Sequence, residues 1–235
     1  MTIRMLAIVG SPRHGNTELM AQSALEAAAA EGGVDTEIIH LGDLDIHPCK
    51  GDYACVTGAK KGRLCPKWED DMELVYPRMI QADAIILASP VYYATVSAQM
   101  KILMDRMQPL KDRGGHYGRD RPFQGALRNK IGGALAVARL RNGGQETTIQ
   151  TIHNFFHVLD MIPVGTGAAV SCLIGAAGST WLDPENPTKG VVLDLVKNDL
   201  FGLGTAEALA RRMLEVTRIV KSGLQAVSSP NREQP

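Results

Sequence analysis

A polar loop near the start of the chain, residues 11–17, carries residue types that bind phosphate. It follows an apolar run, residues 6–9, and precedes an alanine-rich segment that favours a helix. Backbone N–H groups at a helix start are unpaired and carry partial positive charge, so an anion binds there readily. Ser11, Asn16 and Thr17 add side-chain donors, and Arg13 adds a fixed positive charge.

The composition of this loop favours a single terminal phosphate, as on a mononucleotide. The loop has no lysine of the kind that triphosphate-binding loops use, and it does not follow the pattern Gly-x-Gly-x-x-Gly. The alternative is an ordinary strand-to-helix turn in which Asn16 or Thr17 caps the helix.

A second loop, residues 89–97, follows another apolar run and contains two adjacent tyrosines. Pro90 restricts the backbone of the residue before it and ends the strand ladder. Tyr92 and Tyr93 can pack against a flat aromatic ligand there and offer their hydroxyl groups. In the alternative interpretation, the two rings only cover the end of the sheet.

A third loop, residues 138–146, combines glycine with arginine. Gly143 and Gly144 allow a ligand to approach the backbone closely. Arg139 or Arg141 could neutralise an anionic ring or contact the phosphates of a nicotinamide cofactor. The alternative is an ordinary strand-to-helix loop with glycine at its turn.

The remaining polar side chains form weaker patterns. His14 lies in the first loop and could add a donor there. His153 and His157 are four residues apart on a predicted helix, which allows a shared metal face or an ordinary solvated or packed face. We interpret Asp70 and Asp71 as structural, because carboxylates at a helix start favour its dipole and cap it.

Short apolar runs alternate with amphipathic segments, a pattern typical of an α/β domain with a parallel sheet. The run 84–88 is apolar at consecutive positions, which indicates a strand buried on both faces. Such sheets bind ligands beyond the carboxyl ends of their strands, where all three loops would lie. We predict strands at 3–10, 36–41, 84–88, 131–138 and 162–170, and helices at 16–31, 69–81, 97–107, 144–159 and 204–221.

Several ordered motifs together are more specific than any one of them. They are Gly10-Ser11-Pro12-Arg13-x-Gly15-Asn16-Thr17, Ser89-Pro90-Val91-Tyr92, Ser97-Ala98-Gln99-Met100-Lys101, Asp105-Arg106, Gly143-Gly144-Gln145-Glu146-Thr147-Thr148, and a cysteine-bearing segment that ends in Asp70-Asp71-Met72. Over roughly residues 3–170 the chain resembles the flavodoxin-like NAD(P)H-dependent FMN reductases. Within that group it most resembles the iron–sulfur flavoprotein branch.

The resemblance implies a flavodoxin-like, doubly wound, five-stranded parallel sheet in the order 2-1-3-4-5, with FMN at the switch point. The flavin carries the chemistry, so no side chain is expected to act as a catalytic acid or base. The implied cofactor-binding residues are Ser11, Arg13, Gly15, Asn16 and Thr17 for the phosphate, Pro90, Val91, Tyr92 and Tyr93 along the isoalloxazine, and Arg139, Gly143 and Gly144 near the ring.

The cysteine pattern departs from that of the family. Members with a cluster carry a compact run of four cysteines, whereas here Asp52 stands between Cys49 and Cys55, and Cys65 follows after nine residues. We expect a degenerate metal site, whose loop serves dimer contacts or shapes a substrate pocket. The alternatives are an iron–sulfur cluster on three thiolates and one carboxylate, and a zinc site of the three cysteines with His47.

We predict one flavodoxin-like FMN-binding domain over residues 1–222 and a flexible C-terminal tail over 223–235. The predicted insertions, at about 44–68 and 173–203, are longer than ordinary connections, which fits an interface or a lid. We expect the second insertion, which contains Trp181, to cover a flavin of a neighbouring subunit or the acceptor pocket. Family members build active sites at subunit interfaces, so we expect a homodimer or homotetramer.

The overall composition excludes several classes of partner. Zero net charge and 5% aromatic residues argue against nucleic acid and anionic membranes. No apolar run is long enough to span a bilayer, the start of the chain has no export-leader pattern, and four cysteines do not make a disulfide scaffold. We therefore expect a cytoplasmic protein. We also expect Cys172, which lies in a run of small and apolar residues, to be a small buried residue.

These patterns predict an oxidoreductase in which NADH or NADPH delivers hydride to bound FMN, and the electrons pass to a small acceptor such as a quinone. One alternative is a flavodoxin-like or iron–sulfur flavoprotein electron carrier that serves a protein partner. The zero net charge favours the enzyme, since carriers often use acidic steering surfaces. Another alternative is a flavin-free regulator or scaffold on the same fold.

Overall fold

Strands and helices alternate along the chain, as the apolar pattern predicts. The computed structural model describes residues 2–57, 63–111, 125–140, 142–167, 175–180 and 194–228. The strands are β1 (Ile3–Val9), β2 (Val34–His40), β3 (Ala84–Pro90), β4 (Ile131–Ala138), β5 (Ile162–Val164) and β6 (Ala176–Ser179). The helices are α1 (Asn16–Ala30), α2 (Ala54–Thr57), α3 (Met72–Gln81), α4 (Ala98–Asp105), α5 (Gln108–Lys111), α6 (Gln145–Val158) and α7 (Leu200–Ser228), with 3₁₀ turns at Leu41–Asp43 and Leu195–Asn198.

The sheet has the predicted strand order 2-1-3-4-5, and its strands pair in parallel. In this register Val9 pairs with Ala88 and Pro90 pairs with Val137. The carboxyl ends of β1, β3 and β4 therefore lie at one edge of the sheet, and the three predicted loops follow from that edge. The prediction of a flavodoxin-like fold is confirmed.

Two short strands fill the position where the sequence predicted one strand over 162–170. β5 pairs with residues 131–133 of β4, and β6 pairs with residues 135–138. A positive φ of 75° at Gly167 turns the chain out of the extended region soon after Val164. The prediction was wrong for residues 165–167, its residues 168–170 lie outside the described part of the chain, and β6 lies within the predicted second insertion. Among the described residues the sheet therefore has six strands rather than five.

Two apolar clusters cover the two faces of the sheet. On one face α3, α4 and α6 contribute Tyr76, Met100 and Phe156, which are fully buried. On the other face α1 and α7 pack together and contribute Met20 and Met213. The inner strands are consequently buried on both sides, as their consecutive apolar positions predict.

The closing helix is longer than the sequence predicted. α7 runs to Ser228, so the prediction of a tail from residue 223 was wrong for its first six residues. Residues 229–235 lie outside the described part of the chain. In the described ranges, neither α7 nor any shorter helix has the apolar length that crossing a bilayer requires.

Some predicted features cannot be placed, because they lie outside the described residues. These are Arg141, Cys172 and Trp181. The described residues of the predicted insertions are 44–57 and 63–68 in the first, and 175–180 and 194–203 in the second.

Candidate cofactor-binding site

The first loop ends at a helix start that no side chain caps. Gly15 precedes α1 with φ 143° and ψ −135°, a conformation that favours glycine. Within the described residues no side-chain hydrogen bond caps this end of the helix, so the alternative prediction of a cap by Asn16 or Thr17 was wrong there. The positive end of the dipole of a 15-residue helix therefore faces the loop, with Glu18 in its first turn.

The side chains of this loop have different roles. Ser11 and Thr17 are buried, and the Oγ atom of Ser11 donates to the Arg13 carbonyl oxygen at 2.5 Å, which shapes the loop. The Oδ1 atom of Asn16 accepts from the N–H of Val196 at 2.9 Å and so ties α1 to the turn before α7. The exposed Arg13 guanidinium forms no hydrogen bond or ion pair within the described residues, which leaves its charge available to an anion.

Two buried serines join the first loop to the second. The Oγ atom of Ser97 donates to the carbonyl oxygen of Gly10 and accepts from the N–H of Met100 at 3.2 Å, which caps α4. The Oγ atom of Ser89 accepts from the N–H of Ser97 at 3.0 Å. A Cβ atom at Gly10 would lie 2.7 Å from the Cβ atom of Met100, so this close approach of β1 and α4 requires glycine.

The second loop reverses direction in a strained turn over residues 92–95. The N–H of Tyr92 donates to the Thr95 carbonyl at 2.9 Å, and the N–H of Thr95 donates to the Tyr92 carbonyl at 3.1 Å. The central residues, Tyr93 and Ala94, have φ values of 49° and 62°, which are costly for residues with a Cβ atom. Tyr93 is fully exposed, so its ring does not cover the sheet end.

The third loop packs directly against this turn. Gly144 precedes α6 with φ 99°, and a Cβ atom there would lie 2.7 Å from the Cα atom of Ala94. The Oγ1 atom of Thr147 donates to the carbonyl oxygen of Ala94 at 2.6 Å. The turn and the third loop are therefore held together by contacts that need glycine at position 144.

A buried glutamine, which the sequence analysis gave no role, shapes the third loop. The Oε1 atom of Gln145 accepts from the N–H of Gly143 at 2.8 Å, and its Nε2 atom donates to the Leu140 carbonyl oxygen at 2.7 Å. Arg139 is exposed at the start of the same loop. Backbone groups and one buried side chain thus set the path of this loop.

The donor chemistry of these three loops fits FMN. An uncapped helix start and an unpaired arginine suit a phosphate dianion. A strained turn that exposes an aromatic ring, next to a glycine-lined loop, suits a flat heterocycle. The residues implied by the family resemblance lie on these three loops at one edge of the sheet.

The cysteine segment lines a separate cavity of about 190 Å³. Cys49, Asp52, Cys55 and Cys65 all line it, and the three thiols are free. Burial raises the pKa of the Cys55 thiol, and the nearby Cys65, Cys49 and Asp52 raise it further. The four predicted ligands therefore share one environment despite the long gap before Cys65.

Three thiols and one carboxylate differ from the four thiolates that usually hold an iron–sulfur cluster. His47 does not line the cavity; its ring stacks on Trp68 with the ring centroids 4.5 Å apart. Within the described residues, the zinc alternative that uses His47 therefore has no geometric support.

A buried ion pair anchors the cysteine segment. The side chains of Asp70 and Arg106 are each 1% exposed, and they form two hydrogen bonds of 2.5 and 3.1 Å. Arg106 also donates to the His47 carbonyl oxygen at 2.7 Å, and Asp70 accepts from the His47 N–H at 3.0 Å. Asp70 accepts from the Met72 N–H as well, so its interpretation as structural is confirmed.

The neighbouring Asp71 does not cap α3 with its side chain, as the sequence analysis expected of this pair. Its Oδ2 atom accepts instead from the N–H of Asp45 at 2.8 Å, and its own N–H donates to the Asp45 carbonyl at 3.1 Å. Both carboxylates therefore hold the start of the cysteine segment against α3.

We expect Asp70→Asn to destabilise the fold strongly, because it leaves the Arg106 guanidinium buried without a counter-charge. The free energy of unfolding in urea should fall by about 3–5 kcal/mol. Glu215→Gln is the matched control: it breaks only an exposed pair with Arg212 and should cost less than about 1 kcal/mol. Equal effects of the two substitutions would contradict the anchoring role.

The pair of Asp70 and Arg106 should also make the stability of the fold depend on pH. Burial by itself raises the pKa of Asp70, but hydrogen bonds from Arg106 and the His47 N–H outweigh it and hold the pKa below its usual value. A carboxyl with a lower pKa in the folded chain stabilises the fold above its unfolded pKa, and this contribution is lost as the pH falls through the folded value. We expect this loss below about pH 3.9, and a shallower acid limb for Asp70→Asn.

Comparison with known proteins agrees with this geometry. Residues 3–173 match the family model of NADPH-dependent FMN reductase. The chain is 43% identical over 220 residues to an iron–sulfur flavoprotein of Methanocaldococcus jannaschii, covering 93% of this chain and 100% of the relative. It is 28% identical over 160 residues to an NAD(P)H dehydrogenase (quinone) of Trichlorobacter lovleyi, covering 68% of this chain and 70% of the relative.

Solved structures are similar in fold. A crystal structure of RosB with a bound 8-demethyl-8-formylriboflavin-5′-phosphate intermediate has a TM-score of 0.64 at 17% identity, covering 100% of this chain and 90% of that one. A flavodoxin, WrbA-like protein from Agrobacterium tumefaciens has a TM-score of 0.57 at 17% identity, covering 93% and 99%. The family match extends over most of the chain, and we conclude that the protein belongs to the NADPH-dependent FMN reductase family and is an FMN-dependent NAD(P)H oxidoreductase.

Proposed function

We propose that the protein passes electrons from NADH or NADPH through bound FMN to a small acceptor such as a quinone. The observation that carries the proposal is the uncapped start of α1 beside the unpaired charge of Arg13, on the same sheet edge as the strained tyrosine turn. The relative named NAD(P)H dehydrogenase (quinone) supports a quinone as the acceptor.

In this proposal the chain binds and orients, and FMN, when bound, accepts hydride and passes electrons on. Arg13 and the N-terminus of α1 hold the phosphate. The backbone of Pro90 and Val91 borders the ring, and Tyr92 and Tyr93 offer aromatic faces to the ring or to the incoming acceptor. Gly143 and Gly144 let the third loop pack closely against Ala138 and Ala94, which places its backbone beside the tyrosine turn.

We also propose a cytoplasmic homodimer or homotetramer. Three free cysteines fit a reducing compartment. A fully exposed Tyr93 beside the ring-binding loops fits an active site that a second subunit completes.

The phosphate loop provides the direct test. We expect Arg13→Ala to weaken FMN binding about tenfold to hundredfold, because a hydrogen bond to a charged group contributes about 1.5–3 kcal/mol. FMN affinity is measured by fluorescence titration of the flavin-free protein. The fold should be unaffected, since the guanidinium is exposed and touches no partner in the described residues.

Arg212→Ala serves as the control, because it removes another exposed arginine, whose ion pair with Glu215 lies on α7. Its FMN affinity should match that of the parent. If Arg13→Ala and Arg212→Ala bind FMN equally well, the assignment of the phosphate loop is wrong.

A second candidate function is that of an iron–sulfur flavoprotein electron carrier. The observation that favours it is the cavity in which Cys49, Asp52, Cys55 and Cys65 meet. A relative that is 43% identical carries the name iron–sulfur flavoprotein. The residues of this cavity would hold a cluster, which would supply one-electron transfer to a partner.

Asp52→Cys tests this second candidate. A carboxylate is a harder ligand than a thiolate and suits cluster iron less well. If the wild-type cavity holds a cluster, the iron beside Asp52 should be lost first on oxidation, and Asp52→Cys should retain it. Iron content and electron paramagnetic resonance after anaerobic reconstitution measure the difference.

Cys55→Ser in the wild-type background is the paired control: it leaves only two of the three thiolates of this cavity and should abolish iron uptake. Failure of both the wild type and Asp52→Cys to take up iron would exclude the carrier with a cluster. Oxidation of NAD(P)H with a quinone by an iron-free protein would then favour the simple flavin enzyme.

A further inference from the structure

A group of four side chains with metal-binding atoms includes His14 of the first loop and lies apart from the cysteine cavity. It joins the start of α1 to the corner after β2. One ligand atom from each of His14, Glu18 and His40 lies within 4.8 Å of the other two. The Nδ1 atom of His14 is 2.8 Å from a Glu18 oxygen, and its Nε2 atom is 3.0 Å from an Asp43 oxygen.

His40 is the member of this group that most needs a ligand. Its side chain is 5% exposed, and within the described residues neither ring nitrogen has a hydrogen-bond partner. The nearest carboxylate oxygen, on Asp43, is 3.8 Å from its Nδ1 atom, which is too long for a hydrogen bond. Burying a polar atom without a hydrogen-bond partner costs free energy, so a bound ligand at this ring would stabilise it.

The surroundings hold the His40 ring in place. A Cβ atom at Gly42 would lie 2.9 Å from the Cε1 atom of His40, so the chain passes closely over the ring. On its other side the His14 ring stacks at a centroid distance of 4.1 Å. The His14 side chain is 59% exposed, and its two ring nitrogens are bonded to Glu18 and Asp43.

We propose that His14, Glu18 and His40 bind a divalent transition-metal ion, with zinc as the best match. Two imidazoles and one carboxylate form a donor set that zinc commonly accepts. Zinc bonds of about 2.0–2.2 Å place tetrahedral donors about 3.3 Å apart. Because the His14 ring is stacked almost parallel to the His40 ring, His14 must turn out of this stack to direct a ring nitrogen at the same ion. A water molecule would complete the coordination.

Asp43 supplies the outer contact that such sites use. A metal-bound histidine usually donates its second ring N–H to a carboxylate, which fixes the ring and its tautomer. In the present position of the ring an Asp43 oxygen lies 3.0 Å from the Nε2 atom of His14, so this carboxylate is near the N–H that a zinc-bound His14 would leave free. The site therefore has three ligands and one orienting carboxylate.

Zinc bound here would link the phosphate loop to the rest of the fold. His14 lies between Arg13 and Gly15, and Glu18 lies in the first turn of α1. The ion would tie this turn to the corner after β2 and restrict the loop. Slower loss of FMN in the presence of zinc follows only if the proposed function is right, whereas zinc binding itself does not depend on it.

The test is equilibrium dialysis of the purified protein against zinc chloride, with bound zinc quantified. Because thiols also bind zinc, the reference protein carries Cys49→Ser, Cys55→Ser and Cys65→Ser. We expect one zinc per chain in this reference, and at least a tenfold loss of affinity in Glu18→Gln and in His14→Gln. Zinc X-ray absorption should show nitrogen and oxygen ligands without sulfur.

His157→Gln is the control, since it removes an exposed histidine from α6 and should leave zinc binding unchanged. Circular dichroism of each variant confirms that the fold is intact. Two results would overturn the proposal: a reference protein that binds no zinc, or zinc binding that Glu18→Gln and His14→Gln leave unaltered. Loss of FMN binding in Arg13→Ala with zinc binding retained separates this site from the phosphate loop.

Discussion

The buried hydroxyl group of Ser97 joins the loops that leave the carboxyl edge of the sheet, where the candidate cofactor-binding residues lie. Ser97 donates to the carbonyl oxygen of Gly10 at the end of β1 and caps α4 through the N–H of Met100. The phosphate loop and the tyrosine turn therefore cannot move independently. Parallel pairing brings the strand ends to one edge, and this hydroxyl sets the spacing of the loops that leave it.

The helix α4 connects the two candidate redox sites. Its N-cap is Ser97, and Arg106 follows its last residue and forms the buried pair with Asp70. Eight residues of helix span about 12 Å, so the anchor of the flavin loops and the anchor of the cysteine segment are close neighbours. A rigid link of this kind keeps both sites in a constant relation, with or without metal in the cysteine cavity.

The sequence predicted the features that local patterns determine. The apolar run of β4 has its predicted bounds at Ile131–Ala138, and the loop before α1 has the predicted strand–loop–helix setting. Contacts between residues distant in sequence could not be predicted. Arg106 and Gln145 lie in recognisable sequence motifs, but their hydrogen-bond partners are brought to them only by the fold. Ser97 was detectable, since serine before an amphipathic segment is typical of an N-cap. The end of the fifth strand was missed because Gly167, which turns the chain, is followed by three more apolar residues, 168–170, so the apolar pattern continues past the turn.

The proposed function requires that this edge of the sheet binds FMN and that NADPH reduces the bound flavin. An anaerobic absorbance spectrum of the purified protein, with flavin quantified, before and after addition of NADPH, tests both requirements. We expect about one FMN per chain, bleached by NADPH and restored when a quinone is added. A colourless protein that takes up no added FMN, or a bound flavin that stays oxidised with both NADPH and NADH, would contradict it.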